Sequence, residues 1–171
     1  MVSQLPRFPL PLPQYQAWMD RAIALARQAG QSGEIPVGAL LLDGQNQLLA
    51  MGENRKERDG DPTAHAEMVA IRQGCRRLRD WHLTDCTLVV TLEPCPMCAG
   101  AILQSRIGLL IYGADEPKTG AIATVLNLPV SAAALHRLKV VGGIRERECQ
   151  DLLQDWFRQQ RAAASTTRFS S

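Results

Sequence analysis

Apolar positions along the chain change their period several times, and each change marks an element. Over residues 15–29 they recur at helical spacing, at Trp18, Ala22, Ile23, Leu25 and Ala26, and Gly30 is suited to end that helix. Residues 37–42 form a short continuous apolar run, Asp43-Gly44 supplies a turn, and residues 47–51 return, which predicts a hairpin. Residues 64–75 predict a helix with Met68, Val69 and Ile71 apolar. Two buried strands, 87–92 and 107–112, flank a short helix over 96–104. Residues 139–141 predict a last strand. Residues 145–161 predict an amphipathic helix with Cys149, Leu152, Leu153, Trp156 and Phe157 on its apolar side. Strands alternating with helices imply an α/β fold, with a mixed sheet covered on both faces.

The ends of the chain lack this patterning. Residues 1–13 carry Pro6, Pro9, Pro11 and Pro13, which interrupt any continuous apolar stretch and predict an extended, flexible arm rather than a signal peptide. Residues 162–171 are small and polar and predict a disordered tail. Between them, residues 14–161 form one domain with no internal repeat and no linker.

Composition narrows the class. Of 171 residues, 46% are apolar but only 5% aromatic, so the core is expected to be built of Ala, Val, Ile and Leu. A net charge of +2 does not announce a nucleic-acid binder, though a local basic face would suffice. No apolar run approaches about twenty residues, so no membrane span is expected. Five cysteines, an odd number without repeating spacing, argue for a reduced, cytoplasmic setting over a disulfide scaffold.

The chemistry is carried by His65-Ala66-Glu67 and by Pro94-Cys95-Pro96-Met97-Cys98, with His65 thirty positions before Cys95. An imidazole and two thiolates suit Zn²⁺. A Cys-x-x-Cys pair that opens a helix places two sulfurs near one point. Pro96 fits the first helical position, and the positive end of that helix favours thiolates. Three ligands leave one coordination position open, which is the arrangement of a catalytic zinc. At the first turn of its own helix, Glu67 can reach the same point as His65 and take a proton from a water bound there. A structural zinc would need a fourth ligand, and Cys75, Cys86, His82, His136 and Cys149 are candidates by type. Buried thiols are the better reading of Cys75, Cys86 and Cys149, and surface or hydrogen-bonded residues of His82 and His136. His-x-Glu joined to Pro-Cys-x-x-Cys is the signature of zinc nucleobase deaminases.

With these motifs the chain resembles the cytidine deaminase-like superfamily, and within it the bacterial tRNA adenosine deaminases. The likeness covers roughly residues 17–161. It rests on Glu34-Ile35-Pro36-Val37-Gly38-Ala39, Asn54, Asp61-Pro62-Thr63-Ala64-His65-Ala66-Glu67, Thr91-Leu92-Glu93-Pro94-Cys95-Pro96-Met97-Cys98-Ala99-Gly100-Ala101-Ile102, Ser105-Arg106-Ile107 and Lys118-Thr119-Gly120. The resemblance implies a three-layer α/β/α fold around a five-stranded mixed sheet. It implies a homodimer, with one Zn²⁺ per subunit, acting on a tRNA anticodon stem-loop. It implies that His65, Cys95 and Cys98 hold zinc, that Glu67 shuttles protons, that Asn54 hydrogen-bonds an extruded base, and that Pro36 and Val37 line the base pocket. The reaction it implies is hydrolytic conversion of adenosine to inosine at the wobble position, an arginine tRNA being the expected substrate, with release of ammonia. Two positions depart from the pattern: Glu116 stands where members often carry Asp, and Leu135 precedes His136 where Asn is usual.

Beyond these motifs, Arg55, Lys56, Arg58, Lys118, Arg158 and Arg161 form a set able to contact phosphates. Trp156 is expected in the core, while Phe157 is available to stack on bases. Two other readings share the metal motif. One is a deaminase of a free base, guanine or cytosine. The other is a non-enzymatic RNA-binding subunit that keeps zinc for structure, which has no use for Glu67.

Overall fold

The computed structural model describes residues 11–168. Five strands form one mixed sheet: β1 (Gly38–Leu42), β2 (Leu48–Glu53), β3 (Thr87–Leu92), β4 (Leu109–Ala114) and β5 (Lys139–Val141). Their order across the sheet is β2-β1-β3-β4-β5. β1 pairs antiparallel with both β2 and β3, whereas β3–β4 and β4–β5 are parallel. β1 alone therefore runs against the other four. The carboxyl ends of β2, β3 and β4 and the start of β1 lie along one edge of the sheet, where doubly covered α/β sheets bind their ligands.

The central strands read as unbroken apolar runs because both faces are covered. Alternate residues serve opposite layers. Ala39, Leu41, Leu88, Val90 and Leu110 pack with α3 (Ala66–Leu78) and α4 (Pro96–Gln104). Leu40, Leu42, Val89, Leu109 and Ile111 pack with α1 (Leu12–Gln31) and α5 (Glu146–Arg168). The result is the three-layer α/β/α arrangement expected from the resemblance, with no helix among the described residues long and apolar enough to cross a membrane.

Close approach of helix to strand depends on small residues. A side chain on Gly52 of β2 would begin 2.0 Å from the Ala66 carbonyl oxygen. Glycine there lets the first turn of α3 rest directly on β2, and so sets His65 beside the end of that strand. The hairpin turn is held by Asp43, whose Oδ1 accepts from the Gln45 and Gln47 amides at 2.7 and 2.9 Å.

The boundaries differ from expectation in ways with local causes. α1 begins at Leu12 and takes Pro13 into its first turn, where a proline is preorganised for helix. The expected arm thus loses its last two residues to the helix, and residues 1–10 lie outside the described part. α5 runs to Arg168, so residues 162–168 are helical and not disordered as their composition suggested. Ala162, Ala163 and Ala164 are strong helix formers that extend a helix already anchored on the sheet. A short helix α2 (Lys56–Asp59) and a 3₁₀ turn (Leu128–Val130) have no periodicity long enough to be read from sequence.

Candidate active site

Two helices begin at the ligand-binding edge. His65 caps α3, and Cys95 caps α4 with Pro96 in the first turn. Each cap residue is extended, with φ/ψ of −72/154° and −70/172°, and each lends its carbonyl to the first helical hydrogen bond. The two amino termini meet, and three donor atoms meet with them. His65 Nδ1 lies 3.7 Å from Cys95 Sγ and 3.5 Å from Cys98 Sγ, and the three donors lie within 4.8 Å of one another. Tetrahedral zinc, with Zn–S of about 2.3 Å and Zn–N of about 2.0–2.1 Å, needs S···N separations of roughly 3.5 Å. The donor set fits zinc in both chemistry and spacing. Among the described residues no fourth His, Cys, Asp or Glu joins the group.

The electrostatics favour a cation. The Cys98 thiol donating to its sulfur, with help from the His65 ring, brings the Cys95 thiol down to about 4 against the opposing effect of burial. Cys98, sharing that proton and buried beside Glu67, is pushed up. A metal would displace the shared proton, as metal binding by thiols generally does. Burial pushes the Glu67 carboxyl above its ordinary range, the direction expected of a residue that must hold and release a proton. Glu67 is 4% exposed, with its carboxyl beside the Cys98 sulfur.

His65, Cys95 and Glu67 form part of the wall of a cavity of about 900 Å³, near the upper end of the range for small-molecule clefts, about 300–1,000 Å³. Its remaining walls come from the sheet edge and from α5. Ile35 and Val37 precede β1, Asn54 follows β2, Glu116, Lys118 and Thr119 follow β4, and Phe157, Arg158 and Arg161 project from α5. Val37 and Asn54, named from the resemblance, are among the cavity's lining residues. Pro36 requires correction. It is buried against the end of α1, its Cβ 3.3 Å from where a side chain on Gly30 would begin, and it does not line the cavity. Alternation in the extended segment turns Ile35 and Val37 inward and Pro36 away, so Ile35 is the lining residue that sequence reasoning missed.

Of the basic set, Lys56, Lys118, Arg158 and Arg161 face the cavity, whereas Arg55 and Arg58 are drawn to Glu53 at 3.9 and 3.2 Å. Trp156 is anchored, its Nε1 donating to the Gly30 carbonyl at 3.2 Å, while Phe157, 42% exposed, stands at the cavity wall. His136 bonds the Ile107 carbonyl at 2.8 Å, and burial pushes the Cys86 and Cys149 thiols up to about 12, as suits structural residues. Leu135 is 95% exposed. Glu116 keeps to its own loop, Oε1 accepting the Lys118 amide at 2.8 Å.

That loop has an organiser that the motif reading did not single out. Glu93, 2% exposed, accepts from the amides of Glu116, Ile122, Ala123 and Thr124 at 2.8–3.1 Å and from the Thr124 hydroxyl. The chain wraps it so closely that a side chain on Gly120 would begin 2.3 Å from its Oε2. Burial alone would raise its pKa, but the hydrogen bonds from Thr124, Glu116 and Ala123 outweigh burial and hold the carboxyl below its ordinary range.

The Glu93 group has a depressed folded pKa, so its stabilisation is full above the unfolded value, about 4.3, and is lost as pH falls through the folded one. Glu93→Gln should therefore cost about 1.5–3 kcal/mol at pH 7, and urea titrations of both proteins should show that gap narrowing below about pH 4. A gap unchanged down to pH 3 would contradict this account of Glu93. Separately, Cys95→Ser should bind far less zinc than wild type by elemental analysis, because a hydroxyl cannot replace the thiolate.

The comparisons with known proteins agree with this geometry. A family model described as the cytidine and deoxycytidylate deaminase zinc-binding region matches residues 12–114. The chain is 39% identical to a tRNA-specific adenosine deaminase of Bacillus subtilis, over 91% of this chain and 96% of that protein. It is 44% identical to a tRNA(Ile)-lysidine synthase of Deinococcus radiodurans over 92% of this chain, but spans only 27% of that longer protein. A solved structure from a study of A-to-I editing by tRNA:A34 deaminases at the wobble position superimposes with a TM-score of 0.78 at 39% identity, covering 80% of this chain and 99% of that one. The chain belongs to the cytidine and deoxycytidylate deaminase family and is a zinc-dependent hydrolytic deaminase.

Proposed function

We propose that this protein is a tRNA adenosine deaminase that converts adenosine to inosine at the wobble position of an anticodon loop, with an arginine tRNA as substrate and ammonia as the second product. The observation that carries the reading is the open three-donor centre beside a fully buried carboxyl, at the floor of a cavity whose rim is basic and aromatic. Similarity to tRNA-acting deaminases over most of the chain supports the choice of substrate.

His65, Cys95 and Cys98 would hold one zinc per subunit, and the metal supplies a Lewis-acidic site that makes water a nucleophile near neutral pH. The chain's own residues do the rest. Glu67 takes a proton from the attacking water and delivers it to ring N1; it then takes the second proton from the new C6 hydroxyl and passes it to the amine, which leaves as ammonia while C6 becomes the carbonyl. Its raised pKa suits it to both halves of that exchange. Asn54 holds the extruded base by its amide, and Val37 and Ile35 give the base an apolar wall. A loop nucleotide is cheaper to unstack than one in a stem, which favours the anticodon loop. Lys56, Lys118, Arg158 and Arg161 at the rim engage flanking phosphates, and Phe157 offers a stacking face. We assign the protein to the cytoplasm, as a homodimer. The side chains of Val125, Leu126 and Val130, 51%, 45% and 78% exposed, are apolar surface that a second subunit would cover.

Incubation of the purified protein with arginine tRNA, and in parallel with free guanine, cytosine and adenine, tests the reading through inosine content and ammonia. Inosine at the wobble position is the expected outcome. Ammonia from a free base alone would establish a small-molecule deaminase, and retention of tRNA without ammonia would establish a binding subunit. Glu67→Gln should keep its zinc and lose about 10²–10⁴-fold in turnover; near-wild-type rates would remove Glu67 from the proton path. Affinity for the tRNA should fall steeply as salt rises from about 50 to 200 mM if several phosphates are engaged. A flat salt dependence would exclude the basic rim from binding.

A further inference from the structure

Glu34 is a buried acid that the deamination chemistry leaves without a task. It is 2% exposed, it does not line the cavity, and it sits on the connection between α1 and β1. Its own amide donates to the Ala29 carbonyl at 3.0 Å, which ties it to the end of α1. Both of its carboxyl oxygens are used. Oε2 accepts Nδ2 of Asn54 at 3.3 Å, and Oε1 accepts the backbone amide of Arg58 at 2.8 Å. Asn54 is fixed in turn at its main chain, its amide donating to the Val37 carbonyl at 3.1 Å. The base-facing asparagine is therefore held from behind by a residue that never meets the base.

We infer that Glu34 is a positioning residue that sets which way round the Asn54 amide faces the cavity. The proposal rests on the deaminase reading, in which Asn54 contacts the base. A side-chain amide is nearly symmetric in shape but carries a donor at one end and an acceptor at the other. Turned by half a rotation, it presents the reverse pattern. A carboxylate offers acceptors only, so it pairs with the Nδ2 end and repels the Oδ1 end. With one Nδ2 proton committed to Glu34, the other proton and Oδ1 remain for the ligand. Among the described residues no protein group takes Oδ1. Asn54 then shows the base a donor and an acceptor in fixed order. Such an amide pairs bidentately with a base edge that carries the complementary order, and a freely rotating one would lose that discrimination. The Arg58 contact adds stiffness. It joins the segment before β1 to the short helix after β2, so that the two sides of the asparagine move together.

The test is a double-mutant cycle read by kcat and KM on an anticodon stem-loop containing the wobble adenosine. Zinc content and thermal unfolding are recorded for each protein. Glu34→Gln keeps the side chain's size and one acceptor but allows Asn54 to turn. It should lower kcat/KM about 10- to 100-fold with zinc retained. In an Asn54→Ala background the same substitution should cost nothing further, because there is no amide left to orient. Wild-type kcat/KM in Glu34→Gln, or an equal loss in the Asn54→Ala background, would overturn the proposal. An active wild type whose Asn54→Ala variant is also fully active would overturn the base contact itself and the proposal with it. A wild type that makes no inosine would instead sink the deaminase reading. Should Glu34→Gln fold poorly, hydrogen exchange of the Asn54 side-chain amide in wild-type protein decides the matter. One of its two protons should be strongly protected, and rapid exchange of both would overturn the proposal.

Discussion

Two helices can begin at the same point only if the strands beneath them stop there together. That constraint governs this protein. β2 ends at Glu53 and β3 at Leu92 along one edge of the sheet, because β1 between them runs the other way and leaves both carboxyl ends on the same side. α3 and α4 then start side by side with their amide ends converging. The positive ends of two helix dipoles favour thiolate at Cys95. The cap positions hold His65 and Cys95 in extended backbone, which aims their side chains off the helix ends and toward each other. Were Gly52 any larger, α3 could not lie close enough to β2 for His65 to reach the sulfurs.

Around this point the protein uses buried carboxyl groups in distinct ways, and their surroundings separate the roles. At Glu67 burial outweighs the stabilising backbone amide, His65 and Cys98, and raises its pKa. Glu93 is equally hidden, yet it gathers five donors and is held below its ordinary range. The first is suited to proton transfer and the second to holding a loop. Glu34 divides its two oxygens between a side-chain amide and a main-chain amide, and so links α1, the start of β1 and the segment after β2. The cavity thus has one side fixed through Glu34 and another through Glu93, with His65 and Cys95 in the wall between them.

The rim is built differently. Residues from the loop after β4 and from one side of α5 form it, and they are long, charged or aromatic. Trp156 pins α5 to the end of α1 through the Gly30 carbonyl, which leaves its neighbour Phe157 free to face the cavity. A rigid floor beneath a rim of long side chains suits the proposed extraction of one nucleotide from an RNA loop.

Much of this was legible in the chain itself. Strand β3 and helix α4 were read to the residue, because a buried, largely apolar run and a proline at the first helical position are local signals. That His65, Cys95 and Cys98 come together, with Glu67 beside them, was foreshadowed in the sequence because zinc chemistry restricts residue type and spacing tightly. Only the tertiary structure decided what depended on distant parts meeting. That Ile35 and not Pro36 faces the cavity follows from the phase of an extended segment, which packing against α1 sets. That the last helix reaches Arg168 follows from its anchorage on the sheet, which lets a stretch of alanines propagate what it could not nucleate alone. The tasks of Glu34 and Glu93 lay outside any motif, since a carboxyl group acquires its function from the donors that folding brings to it, and those donors lie up to 31 positions away in the chain.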